Sequence, residues 1–146
     1  MLEALQFLAT LCAALFAGAA IYINVAEHPA RMRLDTRNAV MQWAPSYQRA
    51  TWMQAPLAII SFLTGVSAWL LGGATVWLIA ALFIGAVVPI TFVVIMPTNR
   101  RLLAAQGDRE VPETRRLLER WGRLHALRSL AAMIAALLML LALALD

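Results

Sequence analysis

The chain has 146 residues, of which 62% are hydrophobic and only 14% charged, with twelve arginines, no lysine and a formal charge of +4. A soluble domain carries about 25% charged residues, so an ordinary globular fold is excluded. The basic balance does not imply a nucleic-acid partner, because the arginines abut apolar stretches, which the positive-inside rule for membrane loops explains, and no groove-reading motif accompanies them.

Three stretches lack any charged residue: Ala4–Ala26, Ala50–Asn99 and Ser129–Leu145. A helix needs about 20 apolar residues to cross the hydrocarbon core, with about 17 as the lower limit. The first stretch makes one span and the last makes one. The middle stretch makes two, divided at Gly72–Gly73. The expected spans are 5–25, 55–71, 76–96 and 127–145, in a single integral membrane domain covering 1–146. The fold class is all-α, a four-helix transmembrane bundle.

The first span carries two rows of small residues, Ala13 with Ala17 and Ala14 with Gly18, suited to close helix approach. Cys12 within it is a small packing residue, and no metal or redox spacing of cysteines exists. The opening Met1-Leu2-Glu3 lacks the positive region of a signal peptide, so no cleaved leader is expected. The span turns polar through Tyr22, Asn24, Glu27 and His28. Pro29 disfavours helical geometry at His28, so the helix should end or kink there.

The segment Ala30–Gln54 holds four arginines and reads as one or two short interfacial helices in the first cytoplasmic loop, one capped at Asp35 or Thr36 and ending at Ala44 before Pro45. Trp43 and Trp52 suit the aromatic belt of the membrane surface. Pro56 suits the first turn of the second span. Leu71–Thr75 is a hairpin, and Pro89 should bend the third span. Gln106-Gly107-Asp108-Arg109 reads as a loop. The last helix starts near Pro112, with Glu113 favourable in its first turn, and runs to Leu145. At 1.5 Å per residue it is roughly 50 Å long and extends beyond the bilayer.

Four spans put both termini on one side and both arginine segments, Arg31–Arg49 and Arg100–Arg128, on the other. The expected location is a bacterial inner membrane with both termini outside the cytoplasm. Trp121, His125 and Arg128, at i, i+4 and i+7, share a face of the last helix that continues to Ala132 and Ala135. Ionisable groups at membrane depth face the bundle interior. Topology brings this row to the same leaflet as Glu27, His28, Gln54, Trp52 and Asn99, which is how a pocket between bundle helices is built. His28, His125 and Glu27 form an alternative ligand set for haem or a divalent metal, but the reading adopted is a metal-free pocket without a cofactor.

Three segments carry a family resemblance: Ala26-Glu27-His28-Pro29-Ala30-Arg31, Met96-Pro97-Thr98-Asn99-Arg100-Arg101, and Arg120-Trp121-Gly122-Arg123-Leu124-His125-Ala126-Leu127-Arg128. They resemble the marks of a family of small four-helix membrane proteins, first named as a domain of unknown function, that includes the anthrone oxygenases of polyketide pathways. The resemblance covers nearly the whole chain. It implies a cofactor-free oxygenase that converts an activated ring CH₂ to a carbonyl with O₂. His125 would be the base, Arg128 or Asn99 would stabilise the oxyanion, and Trp121 would stack on a flat substrate. Glu27, His28, Gln54 and Trp52 would bind that hydrophobic small molecule, which enters from the lipid bilayer. The alternative is a non-catalytic binding module for haem, quinone or lipid, or an assembly partner. A homo-oligomer is a further partner expectation.

Overall fold

The computed structural model describes residues 1–105 and 112–145, so the expected loop at Gln106–Arg109 lies outside the described residues. Among them every regular element is helical. Helix α1 spans Leu2–Tyr22, continues through a π-helical stretch, Ile23–Glu27, and ends as a single turn, α2, His28–Arg31. Helix α3 spans Thr36–Leu70 and α4 spans Thr75–Pro89. A second π-helical stretch, Ile90–Ile95, leads into α5, Met96–Ala104, and α6 spans Pro112–Leu145. The four continuous rods, 2–31, 36–70, 75–104 and 112–145, are each long and apolar enough to cross a membrane. This is a multi-pass membrane protein with an all-α, four-helix bundle. Around the bundle α1 packs on α3 and α6, and α4 packs on the same two helices.

The core is built of small residues. Ala9, Ala13, Ala17 and Ala20 of α1 meet Ala132, Ala135, Ala136 and Ala142 of α6, with Phe16, Trp77, Ile84 and Met139 filling the gaps. Large side chains such as Leu15, Leu63, Phe92, Leu130 and Leu141 lie outside. In lipid the apolar exterior costs nothing, and association comes from close packing of small residues and interhelical hydrogen bonds. Gly65 shows how close: a Cβ there would lie 3.0 Å from the Cβ of Ala81. Ser61 Oγ donates across the interface to the Ala9 carbonyl at 2.8 Å. Of the two expected small-residue rows, Ala13 and Ala17 are buried, but Gly18 is exposed and has nothing near its Cβ position.

The α3–α4 turn is a Schellman motif. Gly73 N–H bonds the Ala68 carbonyl at 3.0 Å and Gly72 N–H bonds that of Trp69 at 3.1 Å, satisfying orphan carbonyls at the helix end. Gly72 has φ +98°, and a Cβ on Gly73 would lie 2.7 Å from the Ala68 oxygen, so both positions require glycine.

At the opposite, polar end the sequence expectation needs correction. No separate interfacial helix fills 30–54. Asp35 does cap a helix, accepting from Asn38 N–H at 3.0 Å, but that helix runs unbroken through Pro45 and Pro56 to Leu70. Each proline removes one backbone hydrogen bond, a defect that neighbouring helices and local adjustment offset in membrane proteins. The N-terminal parts of α3 and α6 and the Ile90–Ala104 end of the third rod form a second core with larger side chains, including Val40, Trp43, Ile95, Leu102, Leu118 and Trp121. Trp43 is therefore no belt residue: it is fully buried, stacked on Tyr47 with ring centroids 5.1 Å apart.

His28 keeps helical angles (φ −66°, ψ −44°) despite preceding Pro29. The relief occurs upstream. Both π-helical stretches end two residues before a proline, at Glu27 ahead of Pro29 and at Ile95 ahead of Pro97. A proline ring clashes with the carbonyl four residues back, and widening the turn there accommodates it. The inserted residue also shifts the register of the helical turns beyond it, as π-bulges at functional sites do. Asn24 and Glu27 lie within the first stretch, and Asn99 lies just beyond the second.

Candidate active site

A small cavity of about 10 Å³ lies between the helices at the polar end. Its walls include Glu27 and Arg31 from the first rod, Tyr47 and Gln54 from α3, Asn99 from α5, and Trp121, His125 and Arg128 from α6. Six residues expected from the sequence therefore meet on one cavity: Glu27, Gln54, Asn99, Trp121, His125 and Arg128. Two others do not line it. Trp52 is 83% exposed on the outer face of α3 and fits only the belt reading. His28 is buried but lies beside the cavity, its ring against Trp121 (centroids 5.3 Å apart).

Glycine at 122 makes room for that ring. A Cβ at Gly122 would fall 2.5 Å from His28 Nε2. His28 is thus a packing partner of α6.

His125 is held by two residues that sequence reasoning did not select. Asn24 Nδ2 donates to the Gly122 carbonyl at 3.0 Å, which fixes the orientation of the amide. Its Oδ1 then faces His125 Nδ1 at 2.7 Å and Ser129 Oγ at 2.6 Å. A carbonyl-type oxygen only accepts, so the ring proton resides on Nδ1 and the lone pair on Nε2. The His125 ring also leans on Trp121, with centroids 4.9 Å apart and planes tilted by 33°. Ser129 follows Trp121 and His125 at i+8 and i+4, and that helical row was the available signal.

The opposite wall is an ionic network. Glu27 Oε1 accepts from Arg31 Nη2 and from Ser46 Oγ, and Arg31 Nε bonds Gln42 Oε1. Arg31 is 3% exposed and also stands 5.7 Å from the Trp121 ring. Its charge is matched by Glu27. Arg31 was also missed, because it was counted with the loop arginines; its spacing of four from Glu27 was the clue.

Arg128 is different. Its Nη2 donates to Gln54 Oε1 at 2.7 Å, and its guanidinium carbon lies 5.2 Å from the Phe16 ring. Among the described residues it forms no ion pair with a carboxylate. Its Nε is buried without a hydrogen-bond partner among the described residues, as are Gln54 Nε2, Asn99 Nδ2, Asn99 Oδ1 and Trp121 Nε1. All five atoms belong to residues lining the one cavity. Four of them are N–H donors. Buried polar groups are nearly always paired, and each unpaired one costs about 1–3 kcal/mol, so this concentration marks a site shaped for an acceptor or an anion. Among the described residues no three His, Cys, Asp or Glu side chains cluster as metal ligands.

Comparison with known proteins agrees with the resemblance carried by the sequence motifs. The family pattern described as anthrone oxygenase matches residues 43–138, well over half of the chain. A similar relative is the anthrone oxygenase tpcL of Aspergillus fumigatus, 41% identical over 64 residues, which are 42% of this chain and 40% of the relative. The match thus spans less than half of that protein's length. No solved structure matches. The matched span contains five of the six residues that line the cavity as expected, all but Glu27, and on that evidence the chain belongs to the anthrone oxygenase family.

Proposed function

We propose that this protein is an oxygenase that takes a flat, hydrophobic, anthrone-type substrate and converts its activated ring CH₂ to a carbonyl with O₂, without a resident cofactor. The observation carrying this reading is the set of N–H donors on Gln54, Asn99, Trp121 and Arg128 around one cavity that have no partner among the described residues, next to a histidine whose Nδ1 is committed to Asn24.

The chemistry is set by these groups. A CH₂ between two aromatic rings and para-like to a carbonyl is acidic, because its loss of a proton leaves an aromatic phenolate. His125 Nε2 is the base. The charge that develops on the substrate oxygen is met by preorganised donors in a dry site, where they act most strongly. Arg128 supplies the counter-charge. The electron-rich anion passes one electron to O₂, and the resulting radical and superoxide combine to form a C–O bond. With a proton this is a hydroperoxide. Loss of the remaining C–H proton then cleaves O–O, giving the carbonyl and water. One O₂ is consumed, one of its oxygen atoms stays in the product, and the balance calls for no added reductant.

We further place the cavity at the cytoplasmic leaflet of the inner membrane, with both termini outside, because the arginine-bearing segments share its end of the bundle. A poorly soluble substrate then arrives through the bilayer.

The test is turnover of 1,8-dihydroxyanthrone by purified protein, followed by quinone absorbance above the spontaneous rate. His125→Ala should lower the rate by about 10²–10⁴, the usual contribution of one proton-transfer group, with helicity unchanged. Chelator-treated protein should keep its activity. If chelation abolishes turnover and one added metal restores it, Glu27, His28 and His125 become ligands and the cofactor-free mechanism falls.

A further inference from the structure

The cavity that carries the donors is far too small for a fused-ring substrate. Its volume of about 10 Å³ is at the threshold for a single water. A second depression lies against it. This groove between α1 and α3 has a volume of about 350 Å³, within the roughly 300–1,000 Å³ typical of small-molecule sites. It shares Ile23, Glu27, Ser46, Ala50 and Gln54 with the cavity. Ala19, Tyr22 and Met53 form the rest of its largely apolar wall, together with Arg49.

We infer that the body of a flat, fused-ring aromatic substrate lies in this α1–α3 groove, entering sideways from the bilayer, while only its oxygen-bearing edge reaches the cavity. This inference rests on the proposed oxygenase reading and adds the binding site to it. Three observations point to this groove. Gln54 belongs to both spaces, is 1% exposed, and holds an Nε2 with no partner among the described residues. The hydrogen bond from Ser46 Oγ to Glu27 Oε1 ties α3 to the first rod, so it is the contact that must yield for a ring edge to pass inward. The groove is also flanked by exposed Tyr22 and Met53, side chains suited to cover an aromatic face. A larger crevice of about 550 Å³ between α3 and α4, lined by Ile59, Phe62 and Pro89 among others, shares no wall residue with the cavity.

The experiment uses the full chain in nanodiscs and saturable tryptophan-fluorescence quenching by 1,8-dihydroxyanthraquinone, a flat probe that does not turn over. Ala19→Phe fills the groove without touching the cavity wall. It should weaken probe binding roughly ten-fold or more, because steric intrusion of this size is rarely accommodated. Tyr22→Ala, at an exposed position, should also weaken binding. Ile59→Phe, in the α3–α4 crevice, should bind as the wild type does. The inference is overturned if the wild type shows no saturable binding, if Ala19→Phe and Tyr22→Ala bind normally, or if Ile59→Phe is the variant that loses binding. The oxygenase reading fails separately. A wild type that binds the probe and loses it on Ala19→Phe, yet oxidises no anthrone, keeps the groove and sinks the reaction.

Discussion

Asn24 offers the sharpest perturbation, because it touches chemistry only through His125. Its amide is oriented by the Gly122 carbonyl at 3.0 Å and accepts from His125 Nδ1 at 2.7 Å. In Asn24→Ala the Gly122 carbonyl retains its helical partner. Ser129 Oγ retains acceptors in the carbonyls of Ala20 and His125, each at 3.2 Å. His125 Nδ1–H, in a residue 2% exposed, keeps only the long contact to Ser129 Oγ at 3.4 Å. The stability cost should therefore be at most that of one buried unsatisfied donor, about 1–3 kcal/mol. The catalytic cost is larger than it looks from contacts. Without Asn24 the proton is free to move to Nε2, where it occupies the lone pair needed for proton removal. A rate loss of roughly 10–10³ is expected, below or equal to that of deleting the base, while binding of the flat anthraquinone probe changes little. Two measurements decide the matter: ¹⁵N NMR of the histidine ring and kcat on 1,8-dihydroxyanthrone. A variant with an unchanged Nδ1–H tautomer and wild-type kcat would refute the idea that Asn24 sets the base.

Three further outcomes are expected. Gly122→Ala should destabilise the bundle by about 1–3 kcal/mol, the usual cost of overpacking, since its Cβ would lie 2.5 Å from His28 Nε2. Adding His28→Ala should recover much of that loss in a double-mutant cycle on thermal unfolding in detergent. Arg128→Met removes a partly buried cation that has no carboxylate partner among the described residues. Its stability should fall by about 1–3 kcal/mol, because Gln54 Oε1 loses its donor in a residue 1% exposed, and KM for an acidic anthrone should rise about ten-fold or more, a tenfold change being about 1.4 kcal/mol. Asp35 is held below its ordinary value of 3.8 by the Asn38 backbone N–H, then by the Asn38 side chain. A depressed carboxylate contributes stability that is complete above its unfolded value and is lost as pH falls through the lower folded value. The first turn of α3 should therefore loosen only below about pH 3.8, visible as faster amide exchange at Asn38, and Asp35→Asn should abolish that dependence.

The spans were legible because uncharged length is a strong signal, and the Asp35 cap and the Gly72–Gly73 turn were legible because their chemistry is local. Proline chemistry alone marks Pro45 as a helix end and Pro56 as a helix start, and neither is a boundary. Pro45 and Pro56 sit inside one 35-residue helix. The apolar stripe Ala39, Val40, Trp43, Ala44 and Tyr47 keeps a helical spacing across Pro45, and that stripe is what α6 covers. Read with this stripe, Trp43 belongs to a core. The gathering of six residues on one cavity was legible from topology alone, since each lies toward the same end of the bundle. Asn24 and Ser129 were not, because a partner for His125 depends on the rotation of α1 against α6, and the π-helical stretch at Ile23–Glu27 alters that rotation.

The placement of the prolines and the makeup of the site have a common physical root. A bundle seamed by alanine and glycine brings its backbones close and leaves little room for a cluster of long polar side chains, as the Gly65–Ala81 approach shows. A pocket able to hold Gln54, Asn99, His125 and Arg128 needs rods that separate at one end. The wider turns ahead of Pro29 and Pro97 fall at that end, and the bulky second core around Trp43, Leu118 and Trp121 spaces the rods there. The cost, among the described residues, is several buried donors left without partners and a cation without a carboxylate, which the alanine seam must offset. An interior that gathers most such groups at one end, beside a groove between α1 and α3, is what a site for an acidic, membrane-borne aromatic would require.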